Sequence, residues 1–189
     1  MTTGIPIRRA CVVLLLAVAL LVVPLSAGHA ATAPSSGAPN PSPTSTVEKQ
    51  KLAKTRFVAN AGLAAGATYQ WIVKPAKAGK FKKGAHGRTI TFIKAGLAGA
   101  FAYNRLKAAS VNAKGDPTLS KLMVPVNASI ASLKALPAKL RSGDGAEAAA
   151  KSYDDVINKV KDAGKSAGAD VTNKVPSLSE LKSGAGGGP

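Results

Sequence analysis

The chain has 189 residues, with 26 Lys and Arg against 9 Asp and Glu, a formal net charge of +17, and only 4 Phe, 3 Tyr and 1 Trp. That length suits one domain with tails, and alanine has to supply much of its apolar interior, which requires helices in close contact. One cysteine and two histidines exclude an intramolecular disulfide and leave too few ligands for the usual zinc sites.

The N-terminus reads as a cleavable secretory signal over residues 1–30. Arg8 and Arg9 close a short charged start, residues 10–25 are uncharged and mostly Leu, Val and Ala, and small residues follow Pro24. That apolar run is short of the roughly 20 residues that a spanning helix needs. Gly28 and Ala30 occupy the small-residue positions before the cut, which places cleavage between Ala30 and Ala31, with cleavage after Gly28 as the near competitor. The Arg8-Arg9 pair permits either the general or the twin-arginine export route. Cys11 precedes the apolar run, whereas a lipoprotein cysteine follows it. Cleavage removes Cys11 and His29, and the mature chain from Ala31 to Pro189 keeps one histidine, His86, and no cysteine. The expected location is outside the cell or in its envelope.

Residues 31–46 are Pro, Ser, Thr and Ala without charge and predict a disordered spacer. Ser45 and Glu48 fit a capping box that opens a helix over 47–73, which Pro75 is expected to stop. Residues 74–85 form a basic, Gly-containing connection. A second helix is predicted over 87–113, ending at Gly115. Asp116-Pro117 reads as N-cap and first residue of a third helix, whose Leu119, Leu122, Val126, Ile130 and Leu133 recur at helical spacing, with Leu140 beyond. Pro125 should kink or split it, and Pro137 should weaken its end. A turn at 142–145, with Asp144 as a possible cap, leads to a fourth helix with Tyr153, Val156, Ile157 and Val160 on one face. It should end near Gly164, followed by a flexible tail over 165–189. No segment alternates with a period of two. The expected fold is therefore all-α, a small helical bundle over 47–164 built on an antiparallel two-helix hairpin.

That hairpin carries an internal repeat. Ala61-Gly62-Leu63-Ala64 recurs as Ala95-Gly96-Leu97-Ala98, and at the same offset Tyr69 matches Tyr103 and Ile72 faces Leu106. Two copies are consistent with duplication or convergent packing, and also with chance recurrence in an Ala/Gly-rich chain. Gly62, Gly66, Gly96 and Gly99 each cost about 1 kcal/mol against alanine in a helix, so close approach should compensate. The expected seam between the two helices is Gly62, Gly66, Gly96 and Ala100. Small-residue seams also occur in membranes. Residues 57–73 lack charge but span only about 25 Å, contain Asn60 and Gln70, and match a segment interrupted by Lys94. A membrane-inserted or membrane-active hairpin is the alternative, with interfacial binding through Trp71 and Tyr69 favoured over spanning.

Charge is concentrated at one end. Glu48 is the only acid between residues 31 and 115, whereas acids nearly balance bases over residues 116–189. Lys74, Lys77, Lys80, Lys82, Lys83 and Arg88 crowd into the connection and the start of the second helix. This cluster is the candidate contact for an anionic envelope polymer such as teichoic acid, or for lipid headgroups; a surface kept soluble by charge is the competing account. Lysines act as point charges without the bidentate fork of arginine, and one interleaved phenylalanine is too few for a base-stacking platform, so no specific nucleic-acid partner is expected.

Enzymatic constellations are missing from the pattern. His86 lies far in sequence from any acid, since none occurs between Glu48 and Asp116. Asp154 and Asp155 are neighbours that point apart on a helix, and no phosphate loop or EF-hand spacing occurs. The reading is a non-enzymatic exported protein with no cofactor and no metal.

Phe57-Val58-Ala59-Asn60-Ala61-Gly62-Leu63-Ala64, with Lys74-Pro75-Ala76-Lys77-Ala78-Gly79 and Lys94-Ala95-Gly96-Leu97-Ala98, resembles small exported helical proteins of high-GC Gram-positive bacteria. The resemblance covers residues 55–125. It implies export and the two-helix unit and carries no activity with it.

Overall fold

Alanine-rich segments with apolar residues every three to four positions form the two longest helices among the described residues, α1 (Thr46–Thr68) and α3 (Arg88–Ala113). The structure, a computed structural model, describes residues 46–186; the expected signal over residues 1–30, the expected Ala30–Ala31 cleavage site, the expected spacer up to Ser45 and the last three residues lie outside them. All described secondary structure is helical. Phe57, Ala61, Ala64 and Ala65 of α1 share one core with Phe92, Ala95, Ala98, Phe101 and Leu106 of α3. The two helices run antiparallel. Asn60 meets Arg105, Trp71 meets Lys94, and Ala53 lies against Gly115.

Pro75 does not stop the first helix. A π-helical turn (Tyr69–Val73) continues α1 into α2 (Lys74–Lys77), with Pro75 inside α2. The Lys74 N–H reaches back to the Tyr69 carbonyl, and this widened turn relieves the clash that a proline ring makes with the preceding helical turn. The helix ends instead at Ala78, before Gly79 at φ +68°.

The third helix begins as expected. Asp116 accepts the Leu119 N–H at 2.8 Å and Pro117 is the first residue of α4 (Pro117–Ser132). Asp116 is buried, and Lys54 of α1 stands 3.6 Å from its carboxylate while donating to the Ala167 carbonyl at 2.7 Å. Met123 joins Leu119, Val126 and Ile130 on the buried face, and Leu122 is only half-buried beside it. Pro125 is exposed and the helix runs through it. The break falls later, at a 3-10 turn (Leu133–Ala135) ahead of Pro137, and α5 (Leu136–Ser142) follows. Asp144 is not the cap of the next helix; Gly145, at φ +64°, is the N-cap of α6 (Ala146–Ser166).

Helix α6 buries the face read from its sequence. Tyr153 is wholly enclosed, and its hydroxyl donates to the Gly99 carbonyl at 2.9 Å. A Cβ on Gly99 would stand 3.0 Å from that hydroxyl, so the glycine opens room for it. Burial pushes the Tyr153 phenol well above the usual tyrosine range, with a smaller contribution from Tyr103.

Over residues 165–186 the tail packs against the bundle, contrary to expectation. After Ser166 the chain turns and then runs along α1 without regular secondary structure. The Lys174 N–H donates to the Gly62 carbonyl at 2.9 Å, and Ala167, Ala169 and Pro176 are buried. It then forms α7 (Leu178–Gly186), which packs on α3 with Leu181 fully buried and Asn104 donating to the Gly184 carbonyl at 3.0 Å. A capping box opens α7. The Ser177 N–H donates to the Glu180 carboxylate at 2.7 Å, and the Ser177 hydroxyl accepts the Glu180 N–H at 3.3 Å.

The packed tail redefines the glycine seam. A Cβ on Gly62 would stand 2.7 Å from the Thr172 carbonyl, and one on Gly66 would collide with the Lys174 backbone. A Cβ on Gly96 would meet Pro137 and Arg141 of α5. These glycines do serve close approach, but α1 meets α3 through alanine faces, and the glycines admit other segments. Ala100 is half-buried.

Candidate anion-binding turn

Three glycines in the left-handed region, Gly79, Gly84 and Gly87, let the chain wind from α2 to α3 in a series of tight turns. Backbone bonds from Lys80 to Pro75, Lys82 to Gly79, Ala85 to Lys82 and Arg88 to Ala85 hold it. Phe81 anchors it from below: it is buried, with its ring 5.3 Å from that of Phe92.

Of the six predicted basic residues, Arg88 is the one whose side chain is also engaged in holding the turn. Its Nε donates to the Phe81 carbonyl at 3.0 Å and its guanidinium lies 4.5 Å over the Phe92 ring. These contacts commit Arg88 to holding the turn, and the side chain is half-buried. Lys74, Lys77, Lys80, Lys82 and Lys83 are exposed.

The five lysines do not form one surface. Lys77 lines a hollow against α6 that also holds Glu147, Lys151 and Asp154, where the charge is mixed. Lys82 and Lys83 stand exposed on the turn. Lys74 and Lys80 line a second hollow of about 370 Å³, together with Gln70, Trp71, His86, Thr91 and Lys94. No Asp or Glu lines this second hollow. The Lys94 ammonium lies 5.7 Å from the centre of the Trp71 ring, within cation–π range.

Comparison with protein-family models, with curated proteins and with solved structures gave no match. The site therefore has to be read from its own chemistry. Lys94 and Trp71 are the residues that sequence reasoning missed, since Lys94 registered only as an interruption of an apolar segment and Trp71 only as an interfacial aromatic. The repeat makes Asn60 equivalent to Lys94 and Trp71 to Arg105, but the register that brings Lys94 to Trp71 is set by the packing of the two helices. Among the described residues, no group of three or more His, Asp or Glu side chains is placed to hold a metal ion.

Proposed function

We propose that this is an exported, envelope-associated, non-enzymatic protein whose basic turn binds anionic surfaces or polymers. The observation that carries the reading is the exposure of Lys80, Lys82 and Lys83 on the glycine-built turn and of Lys74 on the helix that leads into it, none of them ion-paired to a described residue. The turn is held by Phe81 and Arg88, so its charges are presented on a fixed backbone. An export signal in residues 1–30 would deliver that turn to where teichoic acids and lipid headgroups are found.

Co-sedimentation with phosphatidylglycerol vesicles and with teichoic acid tests the reading. Binding should fall steeply with salt, as the Debye length shrinks from about 10 Å at 0.1 M to about 3 Å at 1 M. Replacing Lys80, Lys82 and Lys83 by Gln should weaken it while leaving the helical signal intact. Absence of binding to either partner at low salt overturns the reading.

A lipid surface is the second reading. Ile90 and Ile93, 58% and 46% exposed, share the first two turns of α3 with Thr91 and Lys94 of the basic hollow. Among the described residues no helix is long and apolar enough to cross a membrane. Insertion of α1 and α3 would also strip the C-terminal segment and α5 from their glycine furrows. The membrane contact that fits is peripheral, with lysines toward headgroups and the two isoleucines toward the acyl boundary.

A further inference from the structure

The hollow beside the π turn has a composition that scattered surface charge does not explain. Three lysines from separate stretches of chain line it: Lys74 from α2, Lys80 from the turn and Lys94 from α3. Gln70 adds an amide and His86 an imidazole, and no carboxylate balances them. Trp71 forms part of the wall, and its indole Nε1 is shut off from solvent without a hydrogen-bond partner. A buried donor left unpaired is unfavourable, and here it belongs to a wall whose only charged side chains are lysines. The volume of about 370 Å³ is within the range of small-ligand sites.

We propose that this hollow is a discrete receptor for one phosphate group, carried either by a lipid headgroup or by a soluble phosphate. A phosphate offers several acceptor oxygens to three ammonium groups, with up to two negative charges as a free phosphate or monoester and one as a diester headgroup, whereas a carboxylate has two oxygens and one charge. Lysine serves such sites as a point charge. The inference rests on the anion-binding reading of the basic turn and narrows it. Lys74, Lys80 and Lys94 recognise the ligand, while Lys82 and Lys83 only add to the long-range field.

Trp71 is the single tryptophan of the chain, so its fluorescence reports on the hollow alone. The exported protein is titrated with sodium phosphate against sodium chloride at equal ionic strength, and with phosphatidylglycerol vesicles against phosphatidylcholine vesicles. A saturating change with sodium phosphate identifies a soluble phosphate ligand; a change with phosphatidylglycerol vesicles alone identifies a headgroup. The Lys80→Gln/Lys94→Gln variant should lose about tenfold or more in affinity, the scale of one charge-assisted hydrogen bond. The Lys82→Gln/Lys83→Gln variant, with the same net charge, should lose about twofold or less, since only screened long-range attraction changes. Lys94→Arg keeps both the charge and the stacking on Trp71 and should retain binding, which separates recognition from a structural role of Lys94. No saturating fluorescence change with either probe overturns the proposal. Equal losses in the two double variants also overturn it, and leave the basic turn as a diffuse anion-binding surface.

Discussion

Lys94 lies with its ammonium 5.7 Å from the Trp71 ring, and the offset of the internal repeat relates this contact to the one between Asn60 and Arg105. Asn60 is the repeat equivalent of Lys94 and Arg105 that of Trp71, and Arg105 reaches Asn60 at 3.4 Å across the same two helices. The contacts exchange as they would about an approximate twofold axis between α1 and α3. Burial follows the same relation, since Ala61 and Ala95, Ala64 and Ala98, and Ile72 and Leu106 are all inaccessible. The symmetry ends at the outer faces, where Gly62 receives the C-terminal segment and Gly96 receives α5.

This asymmetry sets different tolerances at the glycines. Gly66→Ala drives a methyl group into the Lys174 backbone and should destabilise by about 1–3 kcal/mol, the range for overpacking. Gly96→Ala meets Arg141 Cβ at 3.0 Å and the Pro137 carbonyl at 3.2 Å. A small shift of α5 relieves that contact, and the gain of about 1 kcal/mol in helix propensity offsets it. Urea midpoints compare the two, and trypsin adds a local readout: cleavage at the exposed Lys174 should accelerate in Gly66→Ala and stay unchanged in Gly96→Ala. Equal midpoints with unchanged cleavage would show that residues 172–175 do not occupy the furrow.

Tyr153 predicts an alkaline limit on stability. Its phenol is raised in the folded state by burial. The folded protein therefore holds a proton that the unfolded chain releases near pH 10. The stabilisation is complete below that pH and declines as pH rises above it. Tyr153→Phe loses the bond to the Gly99 carbonyl, at a cost of about 1 kcal/mol near neutral pH. It should also show a shallower loss of stability than the parent between about pH 9.5 and 11. Parallel slopes would place the hydroxyl in contact with water.

Glu180 predicts a response in acid. Its carboxylate is held below the usual range first by the Ser177 backbone N–H and then by the Ser177 hydroxyl. A lowered folded pKa contributes stability that is present above the unfolded value and is lost as pH falls through the folded one. Acidification below the usual carboxylate range should therefore fray α7 before the α1–α3 hairpin. Amide exchange of Leu181, whose N–H donates to the Ser177 carbonyl, follows the effect, and Glu180→Gln should show it already at neutral pH. A Leu181 protection factor, corrected for intrinsic exchange, that is independent of pH in this range and of the substitution would exclude the capping box as the anchor of α7.

Ile90 and Ile93 separate the two ligand sources by mutation. Ile90→Ser/Ile93→Ser removes exposed apolar area without altering charge. Vesicle affinity should drop by at least about tenfold if the side chains enter the lipid boundary, since even one buried isoleucine contributes about 1.5–3 kcal/mol. Binding of soluble phosphate, followed by Trp71 fluorescence, should be unaffected. Unchanged vesicle binding would rule out lipid contact through these residues.

Much of the fold is legible in the residue order alone, because helices are local structures. The apolar spacing of Leu119, Val126 and Ile130, and the Asp116-Pro117 start ahead of them, identify α4 without reference to the rest of the chain. Ala and Gly periodicity likewise marks α1 and α3 as helices meant for close packing. Pro75 misleads because its local preference is overridden by the π turn before it, a distortion that packing stabilises and sequence does not announce. The C-terminal segment misleads for the opposite reason. Residues 165–186 are too short of apolar side chains to bury themselves, and their order comes from the furrow that Gly62 and Gly66 open on α1 and from the bed of α3 under Leu181. The Ser177–Glu180 capping box was the local signal for α7. The candidate site divides in the same way. The sequence by itself determined that a basic turn lies between two helices. Only tertiary structure decided that Arg88 is taken up by Phe81 and Phe92, that Lys77 faces the acids of α6, and that Lys94, well inside the next helix, lines the same hollow as Lys80, because antiparallel packing joins residues that chain order separates.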